Sequence, residues 1–195
     1  MQPLSDEQLH NLVERVVRQT LGGMMNPVSA PVPAVQEPPK PVIQAPATTV
    51  PSNKKTVAIG TDHGGVDLKT ALKADLVTLG YEVIDCGTDT KDAVDYPDIA
   101  VKVGGEVLKG DAEYGILICG TGIGMCIAAN KIKGIRAANC NDIFCARRSR
   151  AHNNANVLCL GGDILGEVLA LEIVNTFIST EFLGGRHQRR LDKIE

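Results

Sequence analysis

From Thr56 onward, short apolar runs alternate with longer stretches in which polar and apolar residues are mixed. The apolar runs are strand-like and occupy residues 56–60, 81–85, 114–120, 134–138 and 156–162. Helix-like stretches separate them, at residues 66–80, 98–110, 124–134, 142–154 and 164–180. This alternation predicts an α/β protein with a three-layer α/β/α Rossmann-like fold, in which helices cover both faces of a five-stranded parallel sheet.

The amino-terminal segment has another pattern, that of one amphipathic helix. Its apolar positions follow helical spacing at Leu9, Leu12, Val13, Val16, Val17 and Leu21. Ser5 and Gln8 form a capping box, Leu4 and Leu9 a hydrophobic staple, and a glycine pair at 22–23 a stop signal. Because a helix of about 17 residues is only marginally stable alone in water, we expect residues 5–21 to bind a partner surface.

Proline separates this helix from the rest of the chain. Eight of the ten prolines lie between Pro27 and Pro51, and each one fixes φ and removes a backbone donor. The sequence therefore predicts an amphipathic helix at 1–23, a flexible linker at 24–54 and one globular domain at 55–195.

Charged residues limit what the amino-terminal helix can be. Acidic and basic residues interrupt the apolar run that a secretory signal needs, and three acids, Asp6, Glu7 and Glu14, argue against a mitochondrial presequence. The arrangement of helix, linker and domain resembles the encapsulation peptides of enzymes in bacterial microcompartments. That resemblance implies shell or cargo proteins as partners and the microcompartment lumen, within the cytoplasm, as location. An oligomerisation helix and a tail without a role remain open.

Composition and charge exclude several classes of function. Of the 195 residues, 44% are hydrophobic and 22% charged, and the net charge is −3. Residues 56–195 alone carry a net charge of −4, whereas a nucleic-acid-binding domain is expected to be basic. No run of 18 apolar residues indicates a membrane span. The six cysteines show neither a CxxC pair nor metal-ligand spacing, so we interpret most as small core residues in a reducing cytosol.

The loop CGTGIG, which follows the third predicted strand, is the first candidate for chemistry. Gly120, Gly122 and Gly124 allow a tight turn that aims several N–H groups at an anion. Cys119 precedes them, and a thiol beside a helix amino terminus is a typical base or nucleophile. The alternative is a buried inert thiol, which is our interpretation of Cys126 and Cys159. The spacing does not match a dinucleotide fingerprint.

Polar residues at other loops indicate a sugar-phosphate ligand. Asp62 and His63 follow the first strand, where a carboxylate and an imidazole suit hydroxyls or phosphate better than core packing. His152 stands before the fifth strand and is followed by two asparagines, although a lone histidine is often structural. In the tail, Arg186 and Arg190 would share one face of a helix and grip a phosphate, unless they form a solvated basic tail.

Six motifs in a fixed order identify a family resemblance. They are TDHGG, DCGT, DYPDIA, ILICGTGIGMCIAANKIKGIRAA, RAHNNANVLCLGG and GGRHQRR. Together they resemble ribose-5-phosphate isomerase type B, whose family also holds galactose-6-phosphate isomerase subunits, over residues 55–195. The resemblance implies an aldose–ketose isomerase that interconverts ribose 5-phosphate and ribulose 5-phosphate through an enediolate, with neither metal nor cofactor. It also implies a homodimer or higher homo-oligomer with active sites shared between subunits.

The same resemblance assigns roles to individual residues. Cys119 would be the base, since Met125 occupies the place of the glutamate that another version of the site uses. Asp62 and His152 would open the sugar ring, and Thr121 with loop N–H groups would stabilise the enediolate oxygen. The implied substrate-binding residues are His63, Gly120, Gly122, Ile123, Gly124, Asn153, Arg186 and Arg190.

One position departs from the family pattern. Asp163 stands where the family generally has an arginine that is thought to hold the phosphate. A carboxylate there removes an attraction and adds a repulsion, so we expect weaker binding of ribose 5-phosphate or another substrate. The alternatives are therefore an isomerase of a different phosphorylated aldose, such as a hexose 6-phosphate or a deoxy sugar, and a non-catalytic sugar-phosphate-binding or assembly module.

Overall fold

A computed structural model describes residues 55–194 together with Glu7, His10, Arg15 and Val16. The chain divides into two units, residues 1–48 and 49–195. The four described residues of the first unit are helical, as the amphipathic pattern predicts. The capping box, the glycine stop and the linker lie outside the described residues, so the domain boundaries stay predictions.

Five parallel strands form one sheet in the second unit. They are β1 (Thr56–Thr61), β2 (Glu82–Asp85), β3 (Tyr114–Cys119), β4 (Ala137–Asn139) and β5 (Val157–Gly161). Their order across the sheet is β2-β1-β3-β5-β4. The predicted α/β class and the Rossmann-like parallel sheet are confirmed.

Six helices lie within residues 55–194, and a 3₁₀ turn at His63–Gly65 follows β1. The helices are α1 (Val66–Thr78), α2 (Tyr96–Lys109), α3 (Ile123–Ala129), α4 (Ile143–Asn153), α5 (Glu167–Ser179) and α6 (Gln188–Leu191). None of the helices in the described part of the chain is long and apolar enough to cross a membrane.

Strand β3 shows why the sheet is covered on both faces. All six of its residues are buried, and alternate side chains join different cores. Ile116 and Ile118 pack in the core that contains residues of α1 and α5, whereas Leu117 and Cys119 pack in the core of α2 and α3. A strand that is buried on both sides needs the continuous apolar run seen in the sequence.

Helix α3 ends earlier than the pattern predicts. The prediction extended it through residue 134, but it ends at Ala129. The Asn130 amide group donates to the carbonyl oxygens of Cys126 and Ala137, and its Oδ1 accepts from the Ala137 N–H. This long-range bonding ties the helix end to β4 and turns the chain out of the helix.

The strand order also locates the ligand-binding edge. From β1 the chain first moves to β2 on one side, and then returns to β3 on the other side of β1. Such a reversal opens a crevice beyond the carboxyl ends of the two central strands. Asp62 follows β1 and Cys119 ends β3, so both lie at this crevice.

Candidate active site

Cys119 lies at the bottom of the crevice, as the last residue of β3. Its side chain is buried, with 5% of the residue exposed. The N–H of Gly122 donates to Sγ over 3.2 Å, because the loop folds back over the strand end. This is the kind of contact that stabilises a thiolate, since an N–H bonds more strongly to a charged acceptor than to a neutral one.

The rest of the CGTGIG loop lies around this thiol. Gly122 has φ +77°, which places it in the left-handed region just before α3. Thr121 is exposed, and its Oγ1 accepts the N–H of Ile123 over 3.4 Å. A Cβ on Gly124 would lie 2.9 Å from Cζ of Tyr96, so the Tyr96 ring packs against this position.

Three loops meet beside Cys119 through backbone contacts. The N–H of Gly162 donates to the Cys119 carbonyl over 2.8 Å, and that of Asp163 to the Gly120 carbonyl over 3.0 Å. A Cβ on Gly64 would lie 3.2 Å from the Gly120 nitrogen. The loops after β1, β3 and β5 therefore form one continuous surface.

Asp163 brings its charge directly onto this surface. A Cβ on Gly120 would lie 2.6 Å from Oδ2 of Asp163, so the carboxylate lies against the loop that carries the thiol. The sequence departure noted above is therefore at the candidate site.

Asp62 and His63 differ in how they face the crevice. Asp62 is only 7% exposed, and its Oδ1 accepts the Gly64 N–H over 2.9 Å. Asp62 therefore caps the 3₁₀ turn, in addition to its predicted role at the sugar ring. His63 is exposed and lines a cavity of about 640 Å³ together with Asp95, Asp98 and Lys102.

His152 belongs to a second cluster, which is basic. Its ring stacks on that of His187, with centroids 4.1 Å apart and an interplanar angle of 15°. Nη1 of Arg148 lies 2.7 Å from Nε2 of His152. Nε of Arg186 donates to Nε2 of His187 over 3.5 Å. Desolvation lowers the pKa of both histidines, and the charges of these arginines and of Arg190 lower it further.

The two groups of residues lie at opposite ends of the sheet. Helix α4 runs back from β4 and delivers His152 to the start of β5. Close to it, the Arg150 guanidinium lies 4.9 Å from the ring centroid of Tyr114, the first residue of β3, whereas Cys119 is the last. A six-residue strand is roughly 16 Å long. Within one chain, the structure does not bring His152 to Cys119.

The tail residues differ in detail from the prediction. Helix α6 begins at Gln188, so Arg186 precedes it and does not share its face with Arg190 as expected. The charges of both arginines nevertheless lower the pKa values of the stacked His152 and His187. Asn153 is exposed and lines a separate, largely apolar cavity of about 780 Å³ with Leu191 and Ile194.

Comparison with known proteins assigns this chain to a family. Residues 57–194 match the model of the ribose/galactose isomerase family. The chain belongs to the ribose/galactose isomerase family. Membership confirms the enzyme class expected from the sequence, a sugar-phosphate aldose–ketose isomerase.

Individual members of this family are similar over nearly their whole length. The solved ribose-5-phosphate isomerase B of Clostridium thermocellum is 52% identical, with a TM-score of 0.70 over 71% of this chain and 94% of its own. Ribose-5-phosphate isomerase B of Escherichia coli is 46% identical over 72% of this chain and 94% of its own. The D-erythrulose-4-phosphate isomerase of Pectobacterium atrosepticum is 43% identical over 71% and 92%.

A second cysteine, Cys126, lies on the helix that follows the Cys119 loop. Cys126 of α3 was expected to be inert, but a hydrogen bond with Cys159 lowers its pKa to about 7, against the opposing effect of burial. The pKa of Cys159 is raised well above its ordinary value by that same bond and by burial. Cys126 Sγ also donates to the Ala137 carbonyl over 3.5 Å, so this thiol is held beside β4 and β5.

Three residues of these clusters escaped the sequence analysis. Tyr96 was quoted only within a motif, although an aromatic residue before Pro97 is conspicuous in a chain with six Phe and Tyr. Arg148 and His187 lie in basic runs without a distinguishing local pattern. Only tertiary contact with His152 reveals them.

Proposed function

We propose that the protein interconverts ribose 5-phosphate and ribulose 5-phosphate, with Cys119 as the base. The observation that carries this proposal is the buried Cys119 thiol at the strand end, which accepts the Gly122 N–H within a loop of further N–H donors. The named activities of the C. thermocellum and E. coli relatives support the substrate.

The reaction needs one mobile proton and one stabilised oxyanion. The Cys119 thiolate removes the proton from C2 of the open-chain aldose, the C–H electrons form the C1=C2 bond, and the O1 carbonyl becomes the enediolate oxygen. Return of the proton from Sγ to C1, with a proton moved from O2 to O1, gives the ketose. Thr121 and the loop N–H groups suit the oxyanion, which they stabilise more strongly than the neutral carbonyl.

The remaining groups of the proposed site come from a second copy of the chain. Ring opening by Asp62 together with His152, and phosphate binding by Arg186 and Arg190, require both ends of the sheet at one substrate. A homodimer in which the basic cluster of one copy covers the Cys119 crevice of the other meets this requirement. The charges support it, because the crevice carries Asp62 and Asp163 while the distant cluster is cationic.

A panel of aldose phosphates assayed with cysteine variants tests the proposal. Cys119→Ala should lower kcat for ribose 5-phosphate by roughly 10²–10⁴-fold, the usual contribution of a general base. Cys145→Ala, which removes an exposed thiol on α4, is the matched control and should keep full activity. A Cys126→Ala variant that loses activity while Cys119→Ala keeps it would move the base to Cys126.

The position of Asp163 favours a second candidate, isomerisation of another phosphorylated aldose. Its carboxylate lies against Gly120, where it would repel a phosphate and accept bonds from sugar hydroxyls. The similarity to a D-erythrulose-4-phosphate isomerase supports a four-carbon substrate among the choices. The highest kcat/KM across four-, five- and six-carbon aldose phosphates decides between these substrates, and inactivity on all of them with retained binding would indicate a non-catalytic module.

We further propose that residues 5–21 direct the enzyme into a bacterial microcompartment by binding shell or cargo proteins. The amphipathic stripe and the proline-rich linker support this. Deletion of residues 1–50 should leave isomerase activity intact and abolish co-sedimentation with shell proteins. Leu12→Glu on the apolar stripe should act like the deletion, whereas Asn11→Glu on the opposite face of the predicted helix should not. Unchanged co-sedimentation after the deletion would refute targeting.

A further inference from the structure

We propose that Arg148 is a third arginine of the anion site, and that it holds Nε2 of His152 until the substrate phosphate draws it away. Arg148 is thus a specificity residue through the phosphate and a positioning residue through His152. The inference rests on the proposed function for its catalytic consequence, and on the basic cluster alone for its binding consequence.

Two contacts hold the Arg148 side chain where an anion can reach it. Arg148 and His152 are one turn apart on α4, and Nη1 lies 2.7 Å from Nε2 of the histidine. The guanidinium also lies 5.0 Å from the ring centroid of Phe144, one turn before it. An exposed aromatic face orients the planar group without neutralising it. Arg148 is therefore preorganised but keeps its charge.

No carboxylate within residues 55–194 forms an ion pair with Arg148. The groups that act on the stacked histidine pair are Arg148 and His152 from α4, and Arg186, His187 and Arg190 from the carboxyl-terminal segment. Each of them is a base. Within residues 55–194, none of the three arginines forms an ion pair with a carboxylate. Three uncompensated guanidinium groups around two imidazoles form a site that a dianion would stabilise.

The bond to His152 fixes the state of that histidine. A guanidinium group can only donate, so Nε2 must accept and the ring hydrogen must lie on Nδ1. An imidazolium could not accept this bond, and Arg148 therefore holds His152 neutral. While the bond exists, Nε2 cannot take a proton from the sugar.

A phosphate dianion competes directly for the same guanidinium. A bond from arginine to phosphate joins opposite charges and is often bidentate, whereas the bond to His152 joins one guanidinium N–H to a neutral nitrogen. When Arg148 turns to the phosphate, Nε2 of His152 becomes free to act on the sugar ring. Arg148 therefore couples occupation of the anion site to the availability of the ring-opening group.

Binding of inorganic phosphate to the full-length protein tests the first half of the proposal. Calorimetric titration should show that Arg148→Met raises the Kd for phosphate about 10-fold, which is the loss of one charge-assisted bond. Arg148→Lys should recover part of the affinity. Arg147→Met, which removes the exposed arginine next to it, is the matched control and should bind like wild type. Equal affinity of the Arg148→Met and Arg147→Met variants would overturn the proposal.

Nitrogen-15 NMR of the histidine rings tests the second half. In the phosphate-free protein, His152 should be the Nδ1–H tautomer, and added phosphate or Arg148→Met should populate the Nε2–H form. Arg148→Met should also raise the pKa of His152, because it removes a neighbouring cation. A His152 tautomer that neither phosphate nor the substitution changes would contradict the coupling. These measurements require no turnover, so an inactive enzyme would refute the proposed function and leave this test intact.

Discussion

Gly122 combines a backbone conformation and a close contact that other residues cannot accept. Its φ is +77°, and a Cβ there would lie 2.5 Å from Oδ1 of Asn139 and 2.9 Å from the Leu160 carbonyl carbon. The left-handed region costs a non-glycine residue about 1–2 kcal/mol, before any clash. The glycine therefore allows the N–H that bonds Sγ of Cys119 to point at the thiol.

We expect Gly122→Ala to lower the free energy of unfolding by about 2–4 kcal/mol. Its unfolding midpoint in a denaturant titration should fall accordingly. Its kcat/KM should also fall at least 100-fold, because the N–H leaves Sγ. Gly105→Ala is the matched control. A Cβ there meets nothing within 4 Å, and alanine inside α2 should stabilise the protein by about 0.5–1 kcal/mol. A Gly122→Ala variant as stable and active as wild type would contradict this account.

Substitution of Asp163 tests how the charge of this side chain affects phosphate binding. Asp163→Arg should lower KM for ribose 5-phosphate about 30-fold, since removed repulsion and added attraction each contribute on the order of 1 kcal/mol. Asp163→Asn removes only the repulsion and should give a smaller decrease. Steady-state kinetics of the three proteins measure both steps. An unchanged or higher KM in Asp163→Arg would show that this carboxylate does not face the phosphate.

Residues differ in how far the sequence alone could place them. Cys119 and its glycines were predictable, because an apolar run followed by closely spaced glycines is a local signal of a strand and a loop. The stack of His152 on His187 was not, since it joins parts of the chain that are distant in sequence. The early end of α3 depends likewise on bonds from Asn130 to β4. Local pattern thus predicts elements and loops, and tertiary contact decides which side chains meet.

At the scale of elements, one buried lysine joins α1 to β2 and to the loop that follows. Lys69 is 1% exposed, and its Nζ donates to both oxygens of Asp85, over 3.0 and 2.9 Å, and to Asp89 over 2.7 Å. Burial disfavours the charge, but the bonds to Asp89 and Asp85 outweigh it and raise the pKa of Lys69. The pKa of Asp85 is lowered: burial opposes this, but bonds from Lys73, Lys69 and the Gly87 N–H prevail.

Removal of this lysine should loosen both elements. We expect Lys69→Met to lose about 2–3 kcal/mol in free energy of unfolding, because Asp85 keeps only part of its compensation. Lys91→Met breaks the ion pair with Asp67, in which the Lys91 side chain is 71% exposed and the Asp67 side chain 83%. This variant should lose less than about 1 kcal/mol in free energy of unfolding. Equal losses in urea titrations of the two variants would show that burial of Lys69 adds nothing.

The pH dependence of this element follows from the sign of the Asp85 shift. A lowered folded-state pKa contributes stability above the ordinary value of 3.8, and this stability is lost as the pH falls through the folded-state value. Wild type should therefore lose stability below about pH 4 more steeply than Lys69→Met. Parallel acid-unfolding curves for the two proteins would exclude this contribution.

At the scale of the whole molecule, the separation of two groups of candidate site residues along the sheet is the reason for the homodimer that we propose. The end of the sheet with the loops after β1, β3 and β5 supplies a thiol, N–H groups and carboxylates. The other end supplies imidazoles and guanidinium groups. Each set alone lacks part of the chemistry, since proton transfer at carbon needs the first and a phosphate needs the second. An isologous dimer repeats the same contact twice and so completes two sites at once.

Mixed dimers of two inactive variants give this arrangement a quantitative test. Cys119→Ala and His152→Gln should each be nearly inactive as homodimers. If the sites are shared, a dimer of the two variants has one intact site and one doubly altered site. Random pairing makes half of the dimers mixed, so co-expressed chains should recover about one quarter of wild-type activity.

The control pair is Cys119→Ala with Asp62→Asn, two substitutions at the same end of the sheet. No mixed dimer of these chains contains an intact site, and activity should stay at the level of the homodimers. Recovery in this pair would show that Cys119 and Asp62 act from different chains. No recovery with Cys119→Ala and His152→Gln, once mixed dimers are purified by two affinity tags, would place all catalytic groups within one chain and refute the shared site. We expect recovery only in the first pair, because His152 and Cys119 lie at opposite ends of β3 within one chain.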